Sequence, residues 1–166
     1  MRNILILSIL LCLTNCTQQD NIDIKKVTVA FSGYGCESEC PYKVLSVDEQ
    51  LNVKYYAGMF ANEKGYYTGT TTKEKWDSIK VRFDKFRLKG IDTIKWELTD
   101  QPDVEFYIQG GVNKNKFKEN TGKMSDEDLD ILHWFVKSVP ISTLIKTDSL
   151  TFETSIQYPI PYKYKL

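Results

Sequence analysis

Residues 42–58 read YKVLSVDEQLNVKYYAG, and this stretch has the composition of two paired β-strands. YKVLSV (42–47) and NVKYYAG (52–58) are rich in the β-branched and aromatic side chains that favour strands. The four residues DEQL between them are short enough for a hairpin connection, although the Asn-Gly or Asp-Gly that marks the tightest hairpins is absent. The stretch therefore predicts two antiparallel strands joined by a short turn.

Further strands are predicted on both sides of this hairpin. VTVAFSG (27–33) alternates, which places Val27, Val29 and Phe31 on one face. GYYTGTTT (65–72) has strand composition, and VEFYIQGG (104–111) alternates, with NKNKFKENT (113–121) returning antiparallel to it across Gly110 and Gly111. SLTFETS (149–155) is predicted to be a last strand. TIKWELTD (93–100) is predicted to be a short strand or an extended connection, and YPIPYKYKL (158–166) an extended tail.

Two amphipathic helices interrupt the strands. Thr71 and Glu74 have the spacing of a capping box, and Gly90 is placed to end the first helix. Ser125 and Asp128 repeat the capping pattern, and the second helix must end near Pro140. Apolar stripes follow each start, at Trp76, Ile79, Phe83 and Phe86 in the first helix and at Leu129, Leu132, Phe135, Val136 and Val139 in the second.

This order of elements predicts one α+β domain over residues 27–166, with a mainly antiparallel sheet and two helices packed on one face. The basic residues of the first helix are either a binding face or a solvated outer surface with mixed charges. Asp126, Glu127 and Asp128 resemble a metal cluster, but acids in a first helical turn are also favoured by the helix dipole.

The N-terminal segment MRNILILSILLCLTNC has the layout of an export signal, with Arg2 before an apolar run over residues 4–13. LTNC (13–16) resembles the lipobox of bacterial lipoproteins, although Asn15 departs from the small residue usual there. The resemblance implies that residues 1–15 are a signal peptide and that Cys16 carries the acyl chains, palmitate among them. Residues 16–26 would then be a lipidated tether. An ordinary secretory signal and a core helix are the alternatives.

Once the signal peptide is removed and Cys16 is acylated, Cys36 and Cys40 are the remaining thiols. They have three possible interpretations: a structural disulfide, free thiols, or a metal or redox site. Zinc would need more ligands than the nearby Glu37 and Glu39 supply, and His133 lies far along the sequence. We favour a disulfide that fixes one turn.

Lys plus Arg and Asp plus Glu both total 22, so no net charge attracts nucleic acid.

The stretch CESECPYKVLSVDEQLNVKYYAG (36–58) resembles a family of secreted and lipoprotein domains of unknown function with a C-x-x-x-C-P signature. Cys36, Cys40 and Pro41 match the signature directly, and the resemblance extends over residues 27–139. Ser38 stands where the family usually has glycine, and DEQLN stands where it has Asp-Gly. The family has no established activity, so the resemblance implies no catalytic residue.

The sequence predicts no catalytic residue, cofactor or metal site. The lone His133 sits at helical spacing among Leu129, Leu132 and Val136, which favours a surface or boundary position over a catalytic base. Gly110 and Gly111 are not followed by the Lys-Ser/Thr of a phosphate loop. A hydrolase could draw on acids that converge only in the fold, with candidates at Glu97, Asp100, Asp103 and Glu105.

Tyrosine pairs on two strands are the remaining candidates for a binding surface. Tyr55 and Tyr56, like Tyr66 and Tyr67, should each place one ring toward the core and one on the opposite face. These rings either contact a partner or pair across strands. The leading hypothesis is a non-catalytic binding module anchored to the outer membrane, whose partner is an envelope protein or a glycan. A hydrolase is the alternative, and a structural spacer is third.

Overall fold

The computed structural model of the protein describes residues 23–32, 42–58, 61–88, 102–110 and 113–155. Its strands are β1 (Ile24–Phe31), β2 (Lys43–Asp48), β3 (Asn52–Ala57), β4 (Gly65–Thr70), β5 (Asp103–Gly110), β6 (Asn113–Asn120) and β7 (Ile145–Thr147). They form one seven-stranded sheet in the order β6-β5-β1-β2-β3-β4-β7. Every neighbouring pair is antiparallel. The predicted fold class, a single α+β domain, is therefore confirmed.

Strand register divides the sheet into a helix-covered face and a second face. Val29 pairs with Leu45 on β2 and with Phe106 on β5, and all three side chains face the helices. The next residue along β1, Ala30, points the other way and pairs with Val44 and Glu105. The alternation of Val27, Val29 and Phe31 predicted this arrangement correctly, because successive strand side chains point to opposite faces.

Helices α1 (Lys73–Leu88) and α2 (Asp126–Lys137) both pack on the same face. The Ser125 hydroxyl accepts a hydrogen bond from the Asp128 backbone N–H, as the capping pattern predicted. The first helix is capped one residue later than predicted, because the hydroxyl of Thr72, not Thr71, accepts from the Lys75 backbone N–H at 3.3 Å. The shared core includes both predicted stripes, apart from Leu129, which is only half-buried, and it adds Ile131.

The β2–β3 turn compensates for its missing glycine with an aspartate. The Asp48 carboxylate accepts hydrogen bonds from the backbone N–H groups of Gln50 and Asn52, both at 3.0 Å. Leu51 adopts a φ of 67°, a left-handed conformation that usually favours glycine or asparagine. Side-chain hydrogen bonds to the backbone thus hold a hairpin that the sequence marks only weakly.

Two further sequence predictions differ from the structure. β1 begins at Ile24, so residues 24–26 belong to the sheet and not to the predicted tether. Residues 149–155, predicted to be a last strand, contain no strand. The seventh strand lies just before them at Ile145–Thr147.

Residues 149–155, here named the crossing segment, pass over the second face of the sheet. The Phe152 ring packs on a small cluster that contains Ala30 and Val44. Glu153 accepts from the Lys26 ammonium at 2.6 Å, and Ser155 donates to Glu105. Because these contacts hold the segment across strands, it does not pair along a sheet edge as a strand would.

Several predictions concern residues outside the described ranges. They are the signal peptide and Cys16, the Cys36–Cys40 pair, the segment 93–100, the glycine stop at Gly90, and the tail 158–166. Neither described helix is long and apolar enough to span a membrane.

Candidate functional site

A cleft of about 240 Å³ opens where the end of β1 meets the last turns of α2. We call it the β1–α2 cleft. β1 supplies Phe31 and the following Ser32, β2 supplies Lys43, and Pro102 precedes β5. Helix α2 completes the described lining with His133, Val136 and Lys137.

Helical spacing and strand register bring these side chains together. His133, Val136 and Lys137 lie three and four residues apart, so they occupy neighbouring positions on one side of α2. Phe31 and Lys43 are direct partners in the β1–β2 ladder, on the face that α2 covers. The cleft is thus built on regular elements, which hold side chains more firmly than loops do.

The interior of the cleft is apolar and aromatic. The Phe31 and His133 rings stack with centroids 5.3 Å apart and an angle of 21° between their planes. Phe31 and Val136 are buried, whereas His133 is exposed at the rim. The stacked pair therefore offers a flat wall against which an apolar or planar group can pack.

A pair of hydrogen bonds fixes the side of the cleft formed by Ser32 and Pro102. The Ser32 backbone N–H donates to the Asp103 carbonyl oxygen at 2.8 Å, and the Asp103 backbone N–H donates to the Ser32 hydroxyl at 2.9 Å. The hydroxyl thus acts as a structural acceptor that ties β1 to the start of β5. No hydrogen bond joins Ser32 to His133 among the described residues, so the two do not form a nucleophile–base pair.

The rim of the cleft is cationic. Burial lowers the pKa of the half-buried Lys43 ammonium, and the charge of Lys137 lowers it further. Neither lysine has an ion-pair partner within the described ranges. An anion between the two ammonium groups would relieve their repulsion and replace the water that Lys43 has lost.

The basic side chains of α1 that the structure describes, by contrast, have partners within the domain. Lys73 and Lys80 both pair with Asp77, at 2.7 and 2.9 Å. The Arg82 guanidinium lies 4.3 Å from the centroid of the Trp134 ring on α2. These contacts favour the interpretation of this helix face as a solvated outer surface.

The four candidate tyrosines form two cross-strand pairs on opposite faces. Tyr55 and Tyr67 pair on the helix-covered face, with centroids 6.3 Å apart, and Tyr56 and Tyr66 pair on the second face at 4.7 Å. Burial raises the pKa of Tyr55 to about 12, with smaller contributions from the nearby Tyr67 and Glu63.

Accessibility limits what these tyrosines can offer a partner. Tyr55, Tyr56 and Tyr67 are 2, 6 and 8% exposed, whereas Tyr66 is half-buried. A tyrosine binding surface stays a prediction, and within the described chain it would have to rest on Tyr66.

The described acids that the hydrolase hypothesis used are engaged by lysines. Lys118 lies 3.4 Å from Asp103, and Lys116 lies 3.0 Å from Glu105. Glu105 is only 1% exposed and also accepts hydrogen bonds from the Ser155 backbone and hydroxyl. Glu97 and Asp100 lie outside the described ranges.

Nothing in the described residues resembles a metal centre, since no group of three or more His, Cys, Asp or Glu side chains converges there. Asp126, Glu127 and Asp128 occupy the first turn of α2, as their dipole interpretation predicted. Gly110 ends β5 beside the connection to β6.

Sequence reasoning missed the two lysines of the cleft. One signal was available for Lys43: it shares a strand face with Leu45 and Val47, so it is a charged residue in an otherwise apolar series. Lys137 gave no such signal, because a basic residue in a last helical turn is common and is favoured by the helix dipole.

Comparison with known proteins identifies a family but no activity. No curated protein matches the chain. The model of the family described as Domain of unknown function (DUF6438) matches residues 27–140, a stretch that contains Cys36, Cys40 and the described lining of the β1–α2 cleft. That match covers well over half of the 166 residues, and the chain therefore belongs to this family of domains of unknown function.

Proposed function

We propose that the protein is a lipid-anchored, non-catalytic binding module of the bacterial cell envelope, and that its ligand binds in the β1–α2 cleft. The observation that carries the proposal is the composition of the cleft, in which an apolar aromatic interior meets two lysines without acidic partners in the described chain. Ligand sites commonly combine an apolar lining with a few charged groups that fix orientation.

The acids of the second face support binding over hydrolysis. Glycosidases need two accessible carboxyl groups at a set separation. Here Glu105 is buried beneath Ser155, and Asp103 is paired with Lys118. The described lining of the cleft contains no carboxylate at all, so no described feature favours the hydrolase alternative.

The position of the cleft suits a domain tethered through Cys16. β1 begins at Ile24 and reaches the cleft at Phe31, which is about 23 Å away at the usual rise per residue. Residues 17–23 can span at most about 29 Å between the lipidated cysteine and β1. An anchor at this end would leave the cleft at the opposite end of β1 from the tether.

Anchoring is tested by fractionating cells that express the protein or its Cys16→Ala variant. We expect the unmodified protein in the membrane fraction with an acylated mass, and the variant without acyl chains. The same mass, measured with and without reductant before alkylation, tests whether Cys36 and Cys40 form a disulfide. An unacylated mass for the natural sequence would refute the lipoprotein assignment.

Binding at the cleft is tested in cells with an aromatic photo-crosslinking residue at position 133, which is exposed at the rim and leaves both cleft lysines in place. Position 146, an exposed lysine on β7, is the matched control. The proposal requires a species that crosslinks from position 133, does not crosslink from position 146, and crosslinks less when Lys43 is replaced by methionine. Equal labelling from both positions would contradict a role for the cleft.

A further inference from the structure

We infer that the β1–α2 cleft recognises a carboxylate carried on an apolar or aromatic body. The inference rests on the proposed binding function and specifies the chemical class of the ligand. The two sources of such a group are a small free acid and the terminal carboxylate of a peptide chain.

The first argument is the charge of the rim. Lys43 on β2 and Lys137 on α2 both line the cleft, and none of its described residues is acidic. A carboxylate has two oxygens and can accept a charge-assisted hydrogen bond from each of two ammonium groups. An anion placed between the lysines would thus compensate both charges at once.

The second argument separates a carboxylate from a phosphate. Phosphate sites in proteins commonly use arginine forks, helix N-termini or clusters of backbone N–H groups. The described lining has no arginine, and it includes the last helical residue of α2, Lys137, at the end where the helix dipole is negative. That dipole opposes a dense double negative charge more than a single one, which favours the carboxylate.

The third argument concerns the body of the ligand. Phe31, Pro102 and Val136 supply apolar surface, and the His133 ring extends the Phe31 ring toward the rim. The volume of about 240 Å³ is below the roughly 300–1,000 Å³ typical of drug-sized sites. The cleft therefore suits one ring or one short apolar chain that ends in the anion.

Titration of the protein with 3-phenylpropanoate, followed by amide chemical shifts, tests this inference directly. We expect shifts at cleft residues and a dissociation constant of about 1 mM or lower, as the small size of the probe allows. The uncharged 3-phenylpropanamide should bind at least about tenfold more weakly, because a hydrogen bond to a charged group is lost. Phenyl phosphate should bind no more tightly than the carboxylate.

Matched variants assign the binding to the rim. Lys43→Met and Lys137→Met should each weaken 3-phenylpropanoate about tenfold. Lys146→Met removes an exposed lysine on β7 and should change nothing. An N-acetylated peptide ending in phenylalanine, compared with its C-terminal amide, distinguishes a chain terminus from a free acid. Binding tighter than that of 3-phenylpropanoate would identify the terminus as the source.

The outcomes distinguish this inference from the proposed function. Equal affinity for acid and amide, or tighter binding of phenyl phosphate, would overturn the carboxylate assignment but leave the cleft a binding site. If Lys146→Met weakened the binding of 3-phenylpropanoate as much as Lys43→Met does, the binding would be non-specific charge attraction. That result would overturn the carboxylate assignment. If no probe shifts the cleft resonances and no species crosslinks from position 133, both proposals are wrong.

Discussion

Replacing Glu105 by glutamine tests how firmly the crossing segment is attached to the sheet. The Glu105 carboxylate is buried and accepts from the Ser155 backbone N–H at 2.9 and 3.0 Å and from the Ser155 hydroxyl at 2.6 Å. Lys116 contacts it from β6 at 3.0 Å. Glutamine keeps the shape of the side chain, removes its charge and replaces one acceptor oxygen with an NH2 donor, so the variant weakens these contacts without leaving a cavity.

The expected loss follows from these contacts. A hydrogen bond to a charged group contributes about 1.5–3 kcal/mol and a neutral one about 0.5–1.5, so the two Ser155 donor groups together lose about 2 kcal/mol. The Lys116 side chain is 45% exposed, so its ion pair adds less than about 1 kcal/mol. Burying a neutral amide costs less desolvation free energy than burying a carboxylate, and this difference offsets part of the loss. We expect Glu105→Gln to lower the free energy of unfolding by about 1.5 kcal/mol.

Urea unfolding followed by tryptophan fluorescence measures this change. Glu119→Gln on β6 is the matched control and should cost less than about 0.5 kcal/mol. Ser155→Ala and the double variant should show coupling of about 0.5 kcal/mol or more. Cleavage after Glu153 by a glutamate-specific protease should become faster in Glu105→Gln as the segment detaches. Unchanged or increased stability, with no coupling to Ser155, would refute the anchoring role of Glu105.

Three further predictions concern the core and one helix cap. Tyr55 has a pKa of about 12 in the fold against 10.0 normally, so the folded state holds its proton more tightly and the free energy of unfolding should fall by about 2 kcal/mol between pH 10 and 12. Tyr55→Phe should remove that part of the decline in urea unfolding, and an unchanged alkaline slope would contradict the shift. Ser125→Ala removes the α2 cap and should lower the free energy of unfolding by about 1 kcal/mol. Ser125→Asp should keep most of the stabilisation by the cap, because a carboxylate oxygen can accept the same hydrogen bond. Phe83→Ala should cost about 3–5 kcal/mol, since its fully buried ring packs against Phe86 and Phe135; a loss below 1 kcal/mol would place it outside the core.

Local patterns predicted most of the sheet and both helices. The alternation of Val27, Val29 and Phe31 predicted which side of β1 the helices cover, and the Ser125 pattern located the start of α2. Such elements are predictable because period and capping are short-range properties of the chain. Thr71 was the wrong cap because Thr72 beside it offers the same hydroxyl, and only the backbone path of α1 selects between them.

Long-range contacts explain what the sequence did not predict. SLTFETS (149–155) has the alternation of a strand. In the structure, however, Lys26 binds Glu153, which lies 127 positions later in the chain, and Glu105 binds Ser155, which lies 50 positions later. The cleft likewise depends on Lys43 of β2 meeting Lys137 of α2, which no local pattern encodes. A single sequence shows that these residues are charged, but only the tertiary arrangement shows which of them lack an opposite charge nearby.

The crossing segment also constrains the order in which the domain can be completed during synthesis. The Lys26–Glu153 pair joins the first strand to a residue that emerges much later, so the crossing segment can cover its part of the second face only once residues 149–155 are available. Until then Ala30, Val44 and Tyr56 lack the covering ring of Phe152. A nascent chain in this state presents a small apolar patch to chaperones and to other copies of itself. The crossing segment can therefore pack on the sheet only late in synthesis, after residues 149–155 have been made.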